Sequence, residues 1–241
     1  MTDDTADTTD GTAPDDDAPA DRHANTPGKG VAPAARTIEP SAPDEFGLVQ
    51  TWWGDGKGKT TAALGMAFRA AGHGYRVHLL QFMKGGAASV EDVRGEYNAI
   101  AAVPGISYEH SGHYGWHGMA DGTDEVDHAA RAADGFERAR ELVDGWADAD
   151  LTAPLALDGD PAAGAHMLVL DEVVYAANRG LVDPDDLVAL AAAKPDALEL
   201  VLTGGHEEPA YLDEVSDLIT NVRKVKHPFD EGHRARKGTE F

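Results

Sequence analysis

The stretch WWGDGKGKTTAALG, Trp52–Gly65, decides how the rest of the chain is read. Its Gly58, Lys59 and Thr60 are the end of the phosphate-loop pattern G-x-x-x-x-G-K-[ST]. Five residues before Gly58, where the pattern has its first glycine, stands Trp53. Gly54 and Gly56 still leave the loop free to turn N–H groups inward, where they join the N-terminus of the next helix as an anion cradle. In such a loop Lys59 reaches the phosphates and the Thr60 hydroxyl holds Mg²⁺. A glycine- and lysine-rich turn also arises by chance, so the flanks matter. FGLVQTWW before it has the form of a short buried strand. TTAALGMAFRAAGHG after it favours a helix through Ala62, Leu64, Met66, Ala67 and Ala70, ended by Gly72 and Gly74. YRVHLLQFMK supplies the next strand. Strand, loop, helix and strand thus form a βαβ unit, with parallel strands and a right-handed crossover expected. The GKG at Gly28–Gly30 lacks both a preceding strand and a following Ser or Thr.

Further along, GISYEH has the look of a strand, and SGHYGWHGMADG of a Gly- and His-rich loop before a helix over Thr123–Ala149. LTAPLALDGDPAAGA, near 151–164, is expected to be an acidic surface insertion. HMLVLDEVVYA is a buried strand running into Asp171 and Glu172. DPDDLVALAAAK is a helix with Asp183 as N-cap and Pro184 in its first turn. ALELVLTGG is another strand, PAYLDEV a short helix and DLITNVRKV a last strand. The alternation predicts an α/β fold of the P-loop NTPase, RecA-like kind: a mostly parallel sheet with helices on both faces. Asp171 and Glu172 then fall at the carboxyl end of a strand, where ligands of open α/β sheets bind. A carboxylate there suits a hard cation such as Mg²⁺, although a strand-ending acidic pair also serves as a plain helix cap.

The chain has 241 residues, no cysteine and a formal net charge of −23. The lack of cysteine excludes disulfides, thiolate zinc sites and a thiol nucleophile. Residues 1–45 hold 11 acidic and 3 basic residues and almost no large apolar side chain, a composition expected to be a disordered tail. The remaining domain, 46–241, is acidic too. That surface repels a phosphate backbone, so no nucleic-acid partner is expected, and it suits a protein kept soluble in very high salt. No apolar run approaches the roughly 20 residues of a membrane span, and the acidic N-terminus has no hydrophobic signal core. A cytoplasmic protein of a halophile is expected.

These motifs indicate a Mg-nucleotide site without saying which bond of ATP breaks. GDGKGKTTAALGMAFRAAGHGYRVHLLQFMKG, LVLDEVVYA and the closing VKHPFDEGHRARKGTEF together resemble, in order, blocks of the P-loop ATP:corrinoid adenosyltransferases, also called cob(I)yrinic acid a,c-diamide adenosyltransferases. The loop of that family reads G-N-G-K-G-K-T-T and likewise lacks the first glycine. The resemblance spans residues 46–241 apart from the insertion. It implies transfer of the 5′-deoxyadenosyl group of ATP to Co(I) of a reduced corrinoid with release of triphosphate, in adenosylcobalamin biosynthesis or salvage. It further implies ATP bound by Gly54, Asp55, Gly56, Lys57, Gly58, Lys59, Thr60 and Thr61. A metal, Mg²⁺ or Mn²⁺, would be held by Thr60 and Glu172 with Asp171 beside them. Lys59 and Thr60 would be catalytic by neutralising the leaving group, and a reduced flavoprotein would act as electron donor to a homodimer. The family has an aromatic F-T-W motif over the corrin; Tyr114 and Trp116 of YGW are the nearest match and the implied corrinoid contacts.

Asp55 departs from the family's Asn, and LTGGHEEPAYL lacks an arginine often found after T-G. His110, His113 and His117 have a spacing that could ligate metal on a helix, but Gly112, Gly115 and Gly118 argue for a lid loop instead. His227 has no role legible in the sequence. Two other readings stay open: a different P-loop ATPase or small-molecule kinase, and a nucleotide-dependent corrinoid-binding protein without transfer activity.

Overall fold

The computed structural model describes residues 34–83, 95–112, 125–233 and 236–239. One compact unit extends from Ile38 to the C-terminus. It therefore begins ahead of the compositional boundary at 45/46: Ser41 N–H donates to the carbonyl of Gly74 at 3.0 Å. A Cβ on Gly74 would lie on the Glu39 carbonyl, and Gly74 has φ 81°, so only glycine fits this close approach.

The elements are β1 (Val49–Trp53), α1 (Lys59–Gly72), β2 (Val77–Gln81), α2 (Gly95–Ala102), β3 (Ile106–His110), α3 (Glu125–Gly145), β4 (Met167–Asp171), α4 (Val173–Asn178), α5 (Pro184–Ala193), β5 (Glu199–Thr203) and β6 (Leu218–Asn221). The six strands form one sheet in the order β3-β2-β4-β5-β1-β6, with every pairing parallel. β5 stands between the phosphate-loop strand β1 and the acidic strand β4, the arrangement of RecA-like P-loop folds. Strands β2, β4 and β5 are buried along their whole length, as befits central parallel strands covered on both faces.

Period-2 alternation divides those strands between two cores. Leu79, Val169 and Val201 face one side, where Ala63, Ala67 and Ala70 of α1 pack. Leu80, Leu168, Leu170, Leu200 and Leu202 face the other, beneath α3, α4 and α5. The small residues on α1 recur at four- and three-residue spacing, which keeps a narrow face against the sheet. α5 starts as the sequence predicts, with Asp183 Oδ1 accepting from Asp185 N–H at 3.0 Å and Pro184 at the first position.

Two local readings change, and one helix joins them. The run HMLVLDEVVYA is not one strand; it turns at Glu172, which has φ 65°, and continues as α4. α2 was not foreseen, because GEYNAIAA has no marked amphipathic face. PAYLDEV supplies only a short 3₁₀ turn, Ala210–Leu212. The insertion is tied to the domain: the Arg76 guanidinium donates to the Gly159 carbonyl, Trp146 Nε1 donates to the Pro161 carbonyl at 2.9 Å, and Leu151 is buried in the core.

Candidate active site at the carboxyl ends of the strands

Parallel register places the last residues of three strands in a row. Gln81 pairs with Asp171, and the Leu170–Leu202 pairing makes Thr203 the next neighbour across. Two residues behind them lie Leu79, Val169 and Val201, on the face covered by α1. Gln81, Asp171 and Thr203 therefore continue an apolar row as a polar one, directed to the same side as the start of α1.

The loop between β1 and α1 closes over this row. Trp53, which occupies the position of the missing glycine, is the last residue of β1 and pairs with Asn221 of β6. The turn begins one residue later, at Gly54 with φ 127°. Gly54 N–H donates to the Gly205 carbonyl at 3.0 Å and Gly56 N–H to the Val222 carbonyl at 2.8 Å. A Cβ would come within 2.3 Å of the Val222 oxygen at Gly54 and within 2.8 Å of the Arg223 carbonyl carbon at Gly56. These glycines thus allow the loop to lie against Val222 and Arg223, just past β6; their own N–H groups are bonded to the carbonyls of Gly205 and Val222 rather than turned to an anion. Asp55 is exposed, and its Oδ1 accepts from Lys224 N–H at 2.8 Å. That backbone bond is the first cause of an Asp55 pKa below the usual carboxylate value.

Gly58, with φ 114°, precedes α1 and offers no side-chain cap, and the first turn of α1 contains no acid. An uncapped N-terminus of this kind attracts anions through its N–H groups and the helix dipole. Lys59 leads the helix. Its Nζ donates to the carbonyls of Gly54 at 2.7 Å and Gly56 at 3.0 Å, so the ammonium lies over the loop. Lys57 and Thr61 are in the same loop-and-helix junction.

Thr60 reaches the polar row. Its Oγ1 donates to Asp171 Oδ1 at 2.9 Å. Thr203 Oγ1 donates to the same oxygen at 2.6 Å, and Gln81 Nε2 donates to Oδ2 at 3.0 Å. Asp171 is fully buried, and three converging donors offset the cost of placing a carboxylate there. Because the single proton of the Thr60 hydroxyl is committed to Asp171, its lone pairs are directed away from that carboxylate. Glu172 follows in the left-handed region, a conformation costly for a non-glycine residue and characteristic of functional turns. Its N–H donates to Thr203 Oγ1 at 3.0 Å. Gly204, φ 116°, leaves room for it: a Cβ there would stand 2.9 Å from Glu172 Cα and 3.1 Å from Glu172 Oε2.

The loop residues 54–61 and the acidic pair therefore come together as the motifs predict. Gln81 and Thr203 belong to the same cluster and carry no motif. Tyr114, Trp116, His113 and His117 lie outside the described residues. His110 ends β3 with its ring 6.4 Å from that of Tyr97. His227 caps the short 3₁₀ helix Pro228–Glu231, its Nδ1 accepting from Phe229 N–H at 3.0 Å. Among the described residues no group of three His, Cys, Asp or Glu is placed to hold a metal by itself, and no helix is long and apolar enough to cross a membrane.

The sequence profile described as ATP:corrinoid adenosyltransferase BtuR/CobO/CobP matches residues 45–241. The chain belongs to the ATP:corrinoid adenosyltransferase family. It is 33% identical over 202 residues to a corrinoid adenosyltransferase of Pseudomonas aeruginosa, covering 83% of this chain and 86% of that one. A corrinoid adenosyltransferase of a Sinorhizobium species is 30% identical over 232 residues, 93% of this chain and 96% of its own. Corrinoid adenosyltransferase CobA of Salmonella typhimurium is 30% identical over 205 residues, with 83% and 88% covered. In this adenosyltransferase the turn at Gly54, the uncapped start of α1 and the Thr60–Asp171 pair lie together at the carboxyl end of the sheet.

Proposed function

We propose that the protein transfers the 5′-deoxyadenosyl group of ATP to Co(I) of a reduced corrinoid and releases intact triphosphate. The observation that carries this reading is the Thr60–Asp171 hydrogen bond at the mouth of an uncapped helix, in a chain of the adenosyltransferase family. In the reaction the Co(I) electron pair forms a bond to C5′ of the ribose. The C5′–O bond breaks, and its electrons leave with the triphosphate. Co(I) has no proton to lose, so no general base is required. What the chain supplies is orientation and neutralisation of the charge that develops on the leaving group.

Residues Gly54–Thr61 line the triphosphate in this reading. The Lys59 ammonium exchanges loop carbonyls for phosphate oxygens, and the first turn of α1 faces the same charge. The donor set fits a hard divalent cation: the Thr60 hydroxyl and the Glu172 carboxylate would hold it, with Asp171 beside them. When bound, magnesium or manganese would supply further charge neutralisation at the triphosphate. Tyr114 and Trp116 are assigned to the lower face of the corrin, where they keep an axial ligand away and ease reduction of Co(II). A reduced flavoprotein supplies the electron, and the working form is a homodimer. The net charge of −23 supports action in a salt-rich cytoplasm.

The test is incubation of the full chain with ATP, Mg²⁺ and chemically reduced corrinoid in molar KCl. The absorption spectrum of an adenosyl-corrinoid should appear. Persistence of the Co(I) spectrum with a folded, ATP-binding protein contradicts the proposal.

A further inference from the structure

We infer that Gln81 and Tyr97, which belong to no nucleotide-binding motif, are positioning residues for the metal-nucleotide end of the site. The inference rests on the proposed role of Thr60 and Asp171. Its basis is the direction of each hydrogen bond. An ionised Asp171 only accepts, so Gln81 must turn its NH₂ group to Oδ2. The Gln81 carbonyl then faces the other way, where the Tyr97 hydroxyl donates to Oε1 at 2.7 Å. On the opposite side Glu172 N–H donates to Thr203 Oγ1, which donates to Asp171 Oδ1 beside Thr60. Every donor in the chain points to one carboxylate. With Oδ2 held by Gln81 and Oδ1 by two hydroxyls, the carboxylate plane is fixed, and with it the direction of the Thr60 lone pairs. Tyr97 in turn is fixed by its ring, stacked on Tyr108 of β3 with centroids 4.9 Å apart and planes 9° from parallel. The α2–β3 edge of the sheet therefore sets the aim of a hydroxyl bonded to a carboxylate two strands away.

The experiment measures ATP binding calorimetrically over a series of Mg²⁺ concentrations, without corrinoid, on the full chain in molar KCl. Tyr97→Phe keeps the ring stack and removes only the donor. It should raise the Mg²⁺ concentration for half-maximal binding by about fivefold, the size of one net hydrogen bond. Its melting temperature should stay within about 4 °C of wild type. Gln81→Leu leaves Oδ2 without its amide and should raise the requirement about tenfold or more. In an Asp171→Ala background, Tyr97→Phe should change the Mg²⁺ requirement less than about twofold, because the group through which it acts is gone. If Thr60→Ala shifts the Mg²⁺ requirement while Tyr97→Phe and Gln81→Leu do not, the positioning role is wrong and the site assignment stands. If Thr60→Ala shifts nothing either, the assignment of the site itself fails and the inference falls with it. Effects that remain fully additive with Asp171→Ala and track melting temperature would make both residues merely structural and overturn the inference.

Discussion

Thr60 and Asp171 stand 111 residues apart in sequence, and their side chains meet at 2.9 Å across the carboxyl end of the sheet. One is in the first turn of α1 and the other ends β4, two elements far apart in the chain. The bond uses the single hydroxyl proton of Thr60 and so directs its lone pairs away from the carboxylate. Thr60→Val keeps the shape and removes that oxygen. Adenosyl transfer should fall by about 10²–10³, the usual loss for one electrostatic group at a developing charge. Thr60→Ser should retain most of the rate. Steady-state transfer at saturating ATP checks this; an unimpaired Thr60→Val enzyme would remove the hydroxyl from the site.

Asp55 is a carboxylate in the loop before α1, and it accepts from Lys224 N–H. An Asn oxygen can accept the same bond. Asp55→Asn should therefore behave like wild type, whereas Asp55→Ala should release Lys224 from the loop and raise the KM for ATP about fivefold, one net hydrogen bond's worth. A lowered KM in Asp55→Ala would instead show that the carboxylate acts chiefly by repelling the triphosphate.

His78 is fully buried between Ser107 and Glu109, with Nδ1 2.9 Å from Ser107 Oγ and Nε2 3.5 Å from Glu109 Oε1. Burial lowers its pKa from 6.5 to about 4 and outweighs the attraction of Glu109, itself engaged by Arg138 at 2.9 Å through two bonds. The unfolded chain binds this proton more readily than the fold does. The contribution to stability is thus fully present above about pH 6.5 and lost as pH falls toward 4. Glu109, whose pKa is also lowered, first by Arg138, acts in the same direction. Melting temperature should fall steeply over that window at constant salt, and His78→Gln should flatten the slope. An identical slope in the variant would assign the acid sensitivity to other groups.

The parts of this site that were legible in the sequence are those whose chemistry demands neighbouring residue types. Gly58, Lys59 and Thr60 must be contiguous to turn a loop into a helix with a cation and a hydroxyl at its start. Asp171 and Glu172 must follow an apolar run to stand at a strand end. Gln81 and Thr203 have no such local signature, since each is simply the last residue of a buried strand. Only the register of β2, β4 and β5 brings them to Asp171. The two valines after Glu172 favour a strand locally, and the helix α4 exists because the left-handed Glu172 reverses the chain and Val173 and Val174 pack beneath it. Gly54 and Gly56 were correctly placed in the loop, but the reason for glycine there is the carbonyls of Val222 and Arg223, about 170 residues away and invisible to local pattern. The acidic stretch after α3 hides Leu151, one buried leucine amid polar residues, whose contact with the core no periodicity announces.

The central claim is that this loop presents C5′ of ATP, not its γ-phosphorus, to the attacking atom. Phosphorus NMR of a reaction with ATP, Mg²⁺ and chemically reduced corrinoid tests it most directly. Intact inorganic triphosphate should form in one-to-one ratio with adenosyl-corrinoid, and neither should form in Lys59→Ala within the same time. ADP with orthophosphate or with a phosphorylated acceptor, formed at the rate of ATP loss, would contradict it.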